Sequence, residues 1–238
     1  MSGPAVGRED ELAANLATVE ARIAAACHAA GRAREEVTLT VVTKFFPASD
    51  VRLLAALGVT DVGENRHQEA EQKAAECGDL DVRWHYIGGL QSNKAAAVAG
   101  YADVVESVDR AKLVSPLVKG AAQRDRPLDV LLQVSLDPPE QSEGRAGVHP
   151  DDLAALAQKV TGTGELELRG LMAVAPLGSD PGAAFARLAL IVERFRGEHP
   201  RAQVVSAGMS GDLEAAIAHG ATHVRIGRAV LGERPKIK

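Results

Sequence analysis

Three short stretches of the chain carry residue types whose spacing could do chemistry. In "LTVVTKFFPASDV", Leu39 to Val51, an apolar, β-branched run ends on Lys44, followed by two phenylalanines and a proline. A strand this apolar is expected to be buried. Its terminal lysine either marks the point where the chain leaves the core or is an amine held at the mouth of a sheet to react with a carbonyl. In "SAGMSGDLEAAIAHG", Ser206 to Gly220, a strand-like run gives way to a Gly-Met-Ser-Gly turn and then to a helical pattern with Leu213, Ala216 and Ile217 on one side. Ser210 suits a helix N-cap with Asp212 in the first turn. The same turn suits an anion, because glycine lets backbone N–H groups approach a phosphate at the positive end of a helix. In "HVRIGRAVLG", His223 to Gly232, strand alternation puts Val224 and Ile226 on one face and His223, Arg225 and Gly227 on the other. With the apolar pair packed against outer helices, Arg225 points inward and requires a partner, since an unpaired buried charge is costly. Gly227 leaves room for close backbone approach.

The elements that must position these residues follow from the periodicity. Leu12, Leu16, Val19, Ile23 and Cys27 recur every three or four residues, predicting an amphipathic helix over 10–30 that stops at Gly31. Eight β-branched runs follow: "LTVVTK", "TDVGEN", "RWHYIG", "ADVVESV", "DVLLQVSL", "LRGLMAVA", "AQVVSAG" and "THVRIG". Helical patterns separate them, among them Leu153, Leu156 and Val160, and Phe185, Leu188, Val192 and Phe195. Strand, helix, strand repeated in this way implies right-handed crossovers and a parallel sheet. Eight strands in 238 residues favour closure into a single (β/α)8 TIM-type barrel, an α/β fold, with an extra N-terminal helix. No linker-like composition divides the chain, so residues 1–238 are expected to form one domain; "SLDPPEQSEGRAGVHP", 135–150, reads as a loop over the barrel mouth. In such barrels chemistry gathers at the C-terminal ends of the strands, and phosphate is frequently held by the loops after strands seven and eight. Lys44 ends the first strand and both glycine-containing turns fall in those two loops.

Bulk properties exclude several classes. Apolar residues make up 46% and charged residues 25%, with a formal net charge of -5 and no long run of one sign, which argues against nucleic acid as a partner. Aromatics are 3%, so the core must be aliphatic. Cys27 and Cys77 lie far apart without CxxC spacing, which points to neither zinc nor a disulfide framework and fits a reduced, cytoplasmic setting. No apolar run approaches about 18 residues, and the N-terminus lacks the layout of a signal peptide. His219 and His223 have the spacing of a helical metal pair, but Gly220 breaks the helix between them. Further rim candidates, Glu64, Asn65, His85 and the Gly88–Gly89 pair, read individually as caps, a satisfied core histidine and turn formers.

A lysine on strand one facing a phosphate pocket built by strands seven and eight calls for a ligand with an aldehyde at one end and a phosphate at the other. Pyridoxal 5′-phosphate (PLP) has that form, bound as a Schiff base with its ring nitrogen met by a polar side chain. The ordered motifs "VVTKFFP", "VGENRHQE", "WHYIGGLQSNK", "VESVDR", "LRGLMAVAP", "GMSGDLEAAI" and "VRIGRAVLG" span nearly the whole chain, and with them the sequence resembles the pyridoxal phosphate homeostasis proteins. That resemblance implies the barrel of fold-type III PLP enzymes, similar to the N-terminal domain of alanine racemase. It makes Lys44 the Schiff-base lysine. Ser210, Gly211 and Gly227 would hold the phosphate, and Asn65, Ser206, Met209 and Arg225 would line the cofactor, with Arg225 or Ser206 near the ring nitrogen. The chain departs from the family pattern at Val62, where a phenylalanine is common, and at Arg228, where a threonine or serine is usual. Arg228 could contact the phosphate bidentately or point to solvent.

An arginine at the ring nitrogen would leave that nitrogen unprotonated and the ring a poor electron sink. A racemase also needs a second acid/base group on the opposite face of its substrate, and the two tyrosines, Tyr86 and Tyr101, occupy no obvious rim position. The chain ends soon after strand eight, without a second domain to close the site. The expected role is therefore storage and delivery of PLP, with PLP and apo PLP-dependent enzymes as partners and a monomeric state. A weak amino-acid racemase is the alternative. A Schiff-base aldolase would carry its lysine later in the barrel.

Overall fold

A computed structural model describes residues 7–137 and 146–233. Eight parallel strands, β1 (Thr38–Val42), β2 (Asp61–Glu64), β3 (Arg83–Tyr86), β4 (Val104–Val108), β5 (Leu128–Gln133), β6 (Leu166–Met172), β7 (Val204–Ser206) and β8 (His223–Ile226), close into a barrel in sequence order. β1 pairs with both β2 and β8, which is the closure. The (β/α)8 expectation holds. Helices α2 (Ala48–Ala56), α3 (His67–Glu76), α4 (Ala95–Tyr101), α5 (Val114–Ala121), α6 (Leu153–Thr161), α7 (Pro181–Glu198) and α8 (Leu213–Ala218) form the seven crossovers. The extra N-terminal helix α1 (Arg8–Ala29) begins two residues before the periodic pattern and gives way at Gly31, which has φ +68°. A short helix α9 (Arg228–Leu231) after β8 was not evident in the sequence.

The apolar residues fill two places. Most lie between the strands and the helices: Val224 and Ile226 pack with Leu12, Ile23, Leu213 and Ile217, so the outward face read for the last strand is correct. The apolar stripes of α6 and α7 are buried as their spacing requires. A much smaller apolar layer, Val104, Leu131 and Met172 with Val204 against it, lies within the barrel. Around it the inward positions are polar, and that is where function is to be sought. α1 packs on α8 and α9, with the Asn15 side chain donating to the Val230 carbonyl at 3.0 Å and the Arg8 guanidinium to that of Leu231 at 3.0 Å. Part of the 135–150 loop lies outside the described residues; its flanks are held on the end of β5, where the Ser135 amide donates to Val148 at 2.9 Å and the Val148 amide to Gln133 at 2.7 Å. Among the described residues no helix is long and apolar enough to cross a membrane.

One inward position constrains the sheet strongly. β6 carries an irregularity where Val130 opposes Leu168 but Leu131 opposes Gly170. Gly170 has φ +155°, and a Cβ there would lie 1.8 Å from the Val204 carbonyl oxygen. Gly170→Ala is therefore expected to destabilise the fold by more than about 3 kcal/mol in urea unfolding, through strain and a broken β6–β7 contact. A loss below about 1 kcal/mol would mean that the β6–β7 ladder can shift to accept a side chain.

Candidate functional site

The C-terminal rim is assembled by register. β8 stands between β7 and β1, with Ser206 opposite His223 and Val41 opposite Ile226. Lys44, just past the end of β1, therefore shares a rim with the turn after β7 and the turn after β8. Lys44 is half-buried and follows the fully buried Thr43. Gly227 approaches β1 so closely that a Cβ on it would sit 3.2 Å from the Val42 carbonyl oxygen. The Arg225 amide donates to the Gly208 carbonyl at 2.9 Å, tying the turn after β7 to β8.

Both turns are braced from outside. The Arg22 guanidinium of α1 donates to the Ser210 carbonyl at 2.8 Å and pairs with Glu214, while Asn15 holds the carbonyl of Val230. Ser210 does not cap the helix as its sequence position suggested. Asp212 occupies the N-cap of α8 and its carboxylate accepts from the Met209 amide at 2.6 Å, closing a turn over Met209–Asp212. The two-residue shift leaves Ser210 and Gly211 ahead of the helix, and among the described residues no acceptor is assigned to the amides of Ser210, Gly211 or Gly227. Met209 is 40% exposed and Arg228 is exposed in the first turn of α9. Asn65 follows β2 on the far side of Lys44; its backbone lies against Gly88, and its side-chain oxygen is buried without a hydrogen-bond partner.

Arg225 points inward, as the alternation required, and it has found partners. Its guanidinium donates to Ser206 Oγ at 2.7 Å and to the Ala173 carbonyl at 3.0 Å. Ser206 donates in turn to Glu106 Oε2 at 2.6 Å, and Glu106 Oε1 lies 2.8 Å from His85 Nδ1. His85 Nε2 lies 2.8 Å from Asp61 Oδ1. All five residues are at most 5% exposed. Burial alone would push the His85 imidazole down, but hydrogen bonds to Asp61 and Glu106 and their charges reverse this and raise it to about 9. Burial likewise opposes ionisation of Glu106, yet the His85 bond and charge, with Arg225 and the Ser206 hydroxyl, hold its carboxyl well below the usual range. His223, whose ring centre is 6.2 Å from that of His85, is pushed by burial to about 4 and is neutral. His85 is thus a satisfied core histidine, as read, but a charged one that belongs to the arginine's support.

A second buried network lies outside the barrel wall beside Lys44. Lys73 on α3 donates to Glu64 at 2.7 Å, to Glu69 at 2.7 Å and to the Thr43 carbonyl at 2.8 Å. Thr43 Oγ1 donates to Glu64 at 2.7 Å, and Glu69 accepts from the Phe45 amide at 2.5 Å. Burial raises the Glu64 carboxyl despite the opposing charge of Lys73. Glu64 was read as an ordinary rim residue, and Lys73, Glu69, Glu106 and Asp61 were not singled out. The overlooked signals were a carboxylate inside the apolar run "VVESV" and an i, i+4 acid–base pair on a helix whose lysine faces the sheet.

This geometry agrees with what comparison finds. The family model for the N-terminal domain of alanine racemase matches residues 10–235. The pyridoxal phosphate homeostasis protein of Mycobacterium leprae is 42% identical over 240 residues, 94% of this chain and 93% of that one. That of Pseudomonas aeruginosa is 43% identical over 223 residues, 94% and 96%. The chain belongs to this family. PipY of Synechococcus elongatus, solved with PLP bound, superimposes with a TM-score of 0.79 at 35% identity, covering 93% of this chain and all of that one. Alanine racemase of Corynebacterium glutamicum shares the fold alone, at 15% identity and a TM-score of 0.67.

The charged imidazole fixes a pH dependence. A group whose folded pKa is raised contributes stability that is fully present below its unfolded pKa and is lost as pH rises through the folded value. For His85 the window runs from 6.5 to about 9, a loss on the order of 3 kcal/mol across it. Urea unfolding at stepped pH is expected to show that decline, and Glu106→Gln to flatten it while returning the His85 NMR titration toward the ordinary range. A flat wild-type profile would mean that the buried imidazole is neutral.

Proposed function

We propose that this chain, as one PLP-binding barrel in the cytoplasm, holds pyridoxal 5′-phosphate as a Schiff base on Lys44 and stores and delivers it rather than using it for turnover. The observation that carries the reading is the convergence of three adjacent strands, β7, β8 and β1, on one rim. There, the amides of Ser210, Gly211 and Gly227, to which no acceptor is assigned among the described residues, lie in the loops that neighbour Lys44. Anions bind where several N–H groups of glycine-containing turns point into one space, and the lack of a Cβ at Gly227 lets its turn lie close against β1 at Val42. The unpartnered buried oxygen of Asn65 on the other side supplies an acceptor for a hydroxyl or amine. The solved PLP complex of PipY and the names of the relatives support the same ligand.

When bound, PLP supplies a carbonyl carbon for amines and a ring that withdraws electrons. This chain's residues set how far that chemistry goes. Ser206 has one hydroxyl proton, and it is directed to Glu106. Arg225 is thus the donor we assign to the ring nitrogen, with Ser206 and Glu106 holding the guanidinium in place. A permanently charged donor leaves no proton to transfer to the ring, which favours holding over catalysis. Tyr86 is buried in the apolar layer outside the sheet, and Tyr101 packs against that layer, so neither tyrosine offers an acid/base group over the mouth. Burial raises both phenols, which makes them poorer acids still. Met209 borders the opening, and Arg228 contributes charge from solvent rather than a buried contact.

Protein purified with PLP is expected to absorb near the visible edge, and borohydride should fix the label on the peptide containing Lys44. Lys44→Ala should lose band and label with an unchanged far-UV circular dichroism spectrum; a label on Lys73 or elsewhere would overturn the assignment. Amino acids incubated with the loaded protein in D2O should retain their α-protons. Arg228→Thr should change PLP affinity by less than about threefold and reduce its salt dependence, as expected of a solvated charge. A loss greater than about tenfold would make Arg228 a direct phosphate ligand.

A further inference from the structure

The network around Lys73 grips the backbone on both sides of Lys44. The Thr43 carbonyl belongs to the peptide bond that enters Lys44, and it accepts from Lys73 Nζ. The Phe45 N–H belongs to the peptide bond that leaves Lys44, and it donates to Glu69 Oε1, the same oxygen that Lys73 holds at 2.7 Å. One ammonium therefore organises both peptide groups, with Glu64 as its third acceptor and Thr43 Oγ1 bonded to that carboxylate. Lys73 and Glu64 are nearly inaccessible, at 5% and 1% exposure. The backbone so held is not relaxed: Phe45 has φ +72° and is the only residue other than glycine among the described residues with positive φ. A bulky residue in that conformation is strained and persists only where its surroundings enforce it.

We propose that Glu69 and Lys73 are positioning residues that lock the strained Lys44–Phe45 peptide and so fix the direction in which the Lys44 amine enters the barrel mouth. This deepens the reading of Lys44 given above and rests on it. The strain supplies the reason for the clamp. Left to relax, Phe45 would rotate to negative φ, and the chain after β1 would leave the rim in another direction, taking the amine with it. An amine already aimed forms its bond without a further ordering cost. The clamp also settles which of two neighbouring lysines reacts. All three N–H bonds of Lys73 are committed to acceptors, so its nitrogen presents no lone pair without breaking the clamp.

Glu69 is the residue to change, because its side chain is 23% exposed and its removal leaves the buried Lys73 still paired with Glu64. Glu69→Gln keeps an oxygen for the Phe45 amide; Glu69→Ala does not. In protein without PLP, hydrogen exchange of the Phe45 amide should accelerate by about tenfold or more in Glu69→Ala and return close to wild type in Glu69→Gln. With PLP added, the alanine variant should form the Schiff base about tenfold more slowly or bind about tenfold more weakly, and the glutamine variant should be restored to within about threefold. Unchanged exchange in Glu69→Ala would overturn the clamp. So would faster exchange with unchanged PLP rate and affinity, since the locked peptide would then not matter to the amine. If borohydride labels wild-type protein at a residue other than Lys44, the PLP assignment fails, while the exchange measurement still decides whether the peptide is locked.

Discussion

A charge inside a closed parallel barrel must be answered within the barrel. The sheet leaves no edge, the helices cover its outside, and little water is available to solvate an ion within it. Arg225 is such a charge, fully buried near the mouth, and its presence dictates the residues beneath it. Glu106 balances it through Ser206; Glu106 lies deep enough that it requires a cation of its own, His85; and the charged imidazole requires Asp61 at the start of β2. Two cations and two anions in series sum to zero, and each hydrogen bond in the chain is satisfied. Well-packed apolar residues could fill the same volume at similar stability. What they could not do is hold a guanidinium in one orientation below the mouth, so the network is better understood as a device for direction than as a source of stability.

The rim above it is built on the same rule in a different material. Three segments leave adjacent strands, and each is fixed from behind: Arg22 of α1 holds a carbonyl of the β7 turn, Asn15 of α1 holds one in α9 after β8, and Lys73 of α3 holds the carbonyl before Lys44. In all three cases a side-chain donor occupies the backbone oxygen and leaves the opposite side of the turn for a ligand. The extra helix ahead of the first strand is therefore part of the site's support as well as a cover for the Val224–Ile226 face. In the function proposed above, backbone amides and shape would select phosphate, whereas Arg225 and Asn65 would make the directional polar contacts.

Much of this was legible in the sequence where a pattern had only one physical solution. Alternation in "HVRIG" left Arg225 no place but the interior, and the eight strand–helix repeats left few topologies other than the barrel. The reading failed where a residue's meaning depended on a partner remote in sequence. Ser210 is a good cap by type, but Asp212 competes for the same helix start and wins by bonding Met209, so α8 begins two residues later. Glu106 lies 21 residues from His85 and 100 from Ser206, and no local pattern connects them. Its signal, a carboxylate among valines, was visible, but it needed the question of what a buried glutamate pairs with. Lys73 was hidden for a related reason: on α3 it looks like the basic half of an exposed i, i+4 pair, and only the packing of α3 on the strand end shows that it is buried.

The two lysines near the mouth show how the fold, rather than the side chain, sets the surroundings of an amine. Lys44 and Lys73 differ little in intrinsic chemistry, and both stand beside the end of β1. Lys73 approaches from the helix layer, meets two carboxylates and a carbonyl, and is held as an ammonium with every proton bonded. Lys44 approaches along the strand, on the inward parity of Thr40 and Val42, and emerges at the rim where the acceptor-free amides gather. Exchanging their roles would require β1 to end one residue earlier, since a shift of one residue turns a strand side chain to the other face. The position of Lys44 just past β1 and the acidic surface of α3 are thus one constraint expressed twice: the strand sets the parity of one lysine, and the helix uses the other to hold the backbone on either side of it.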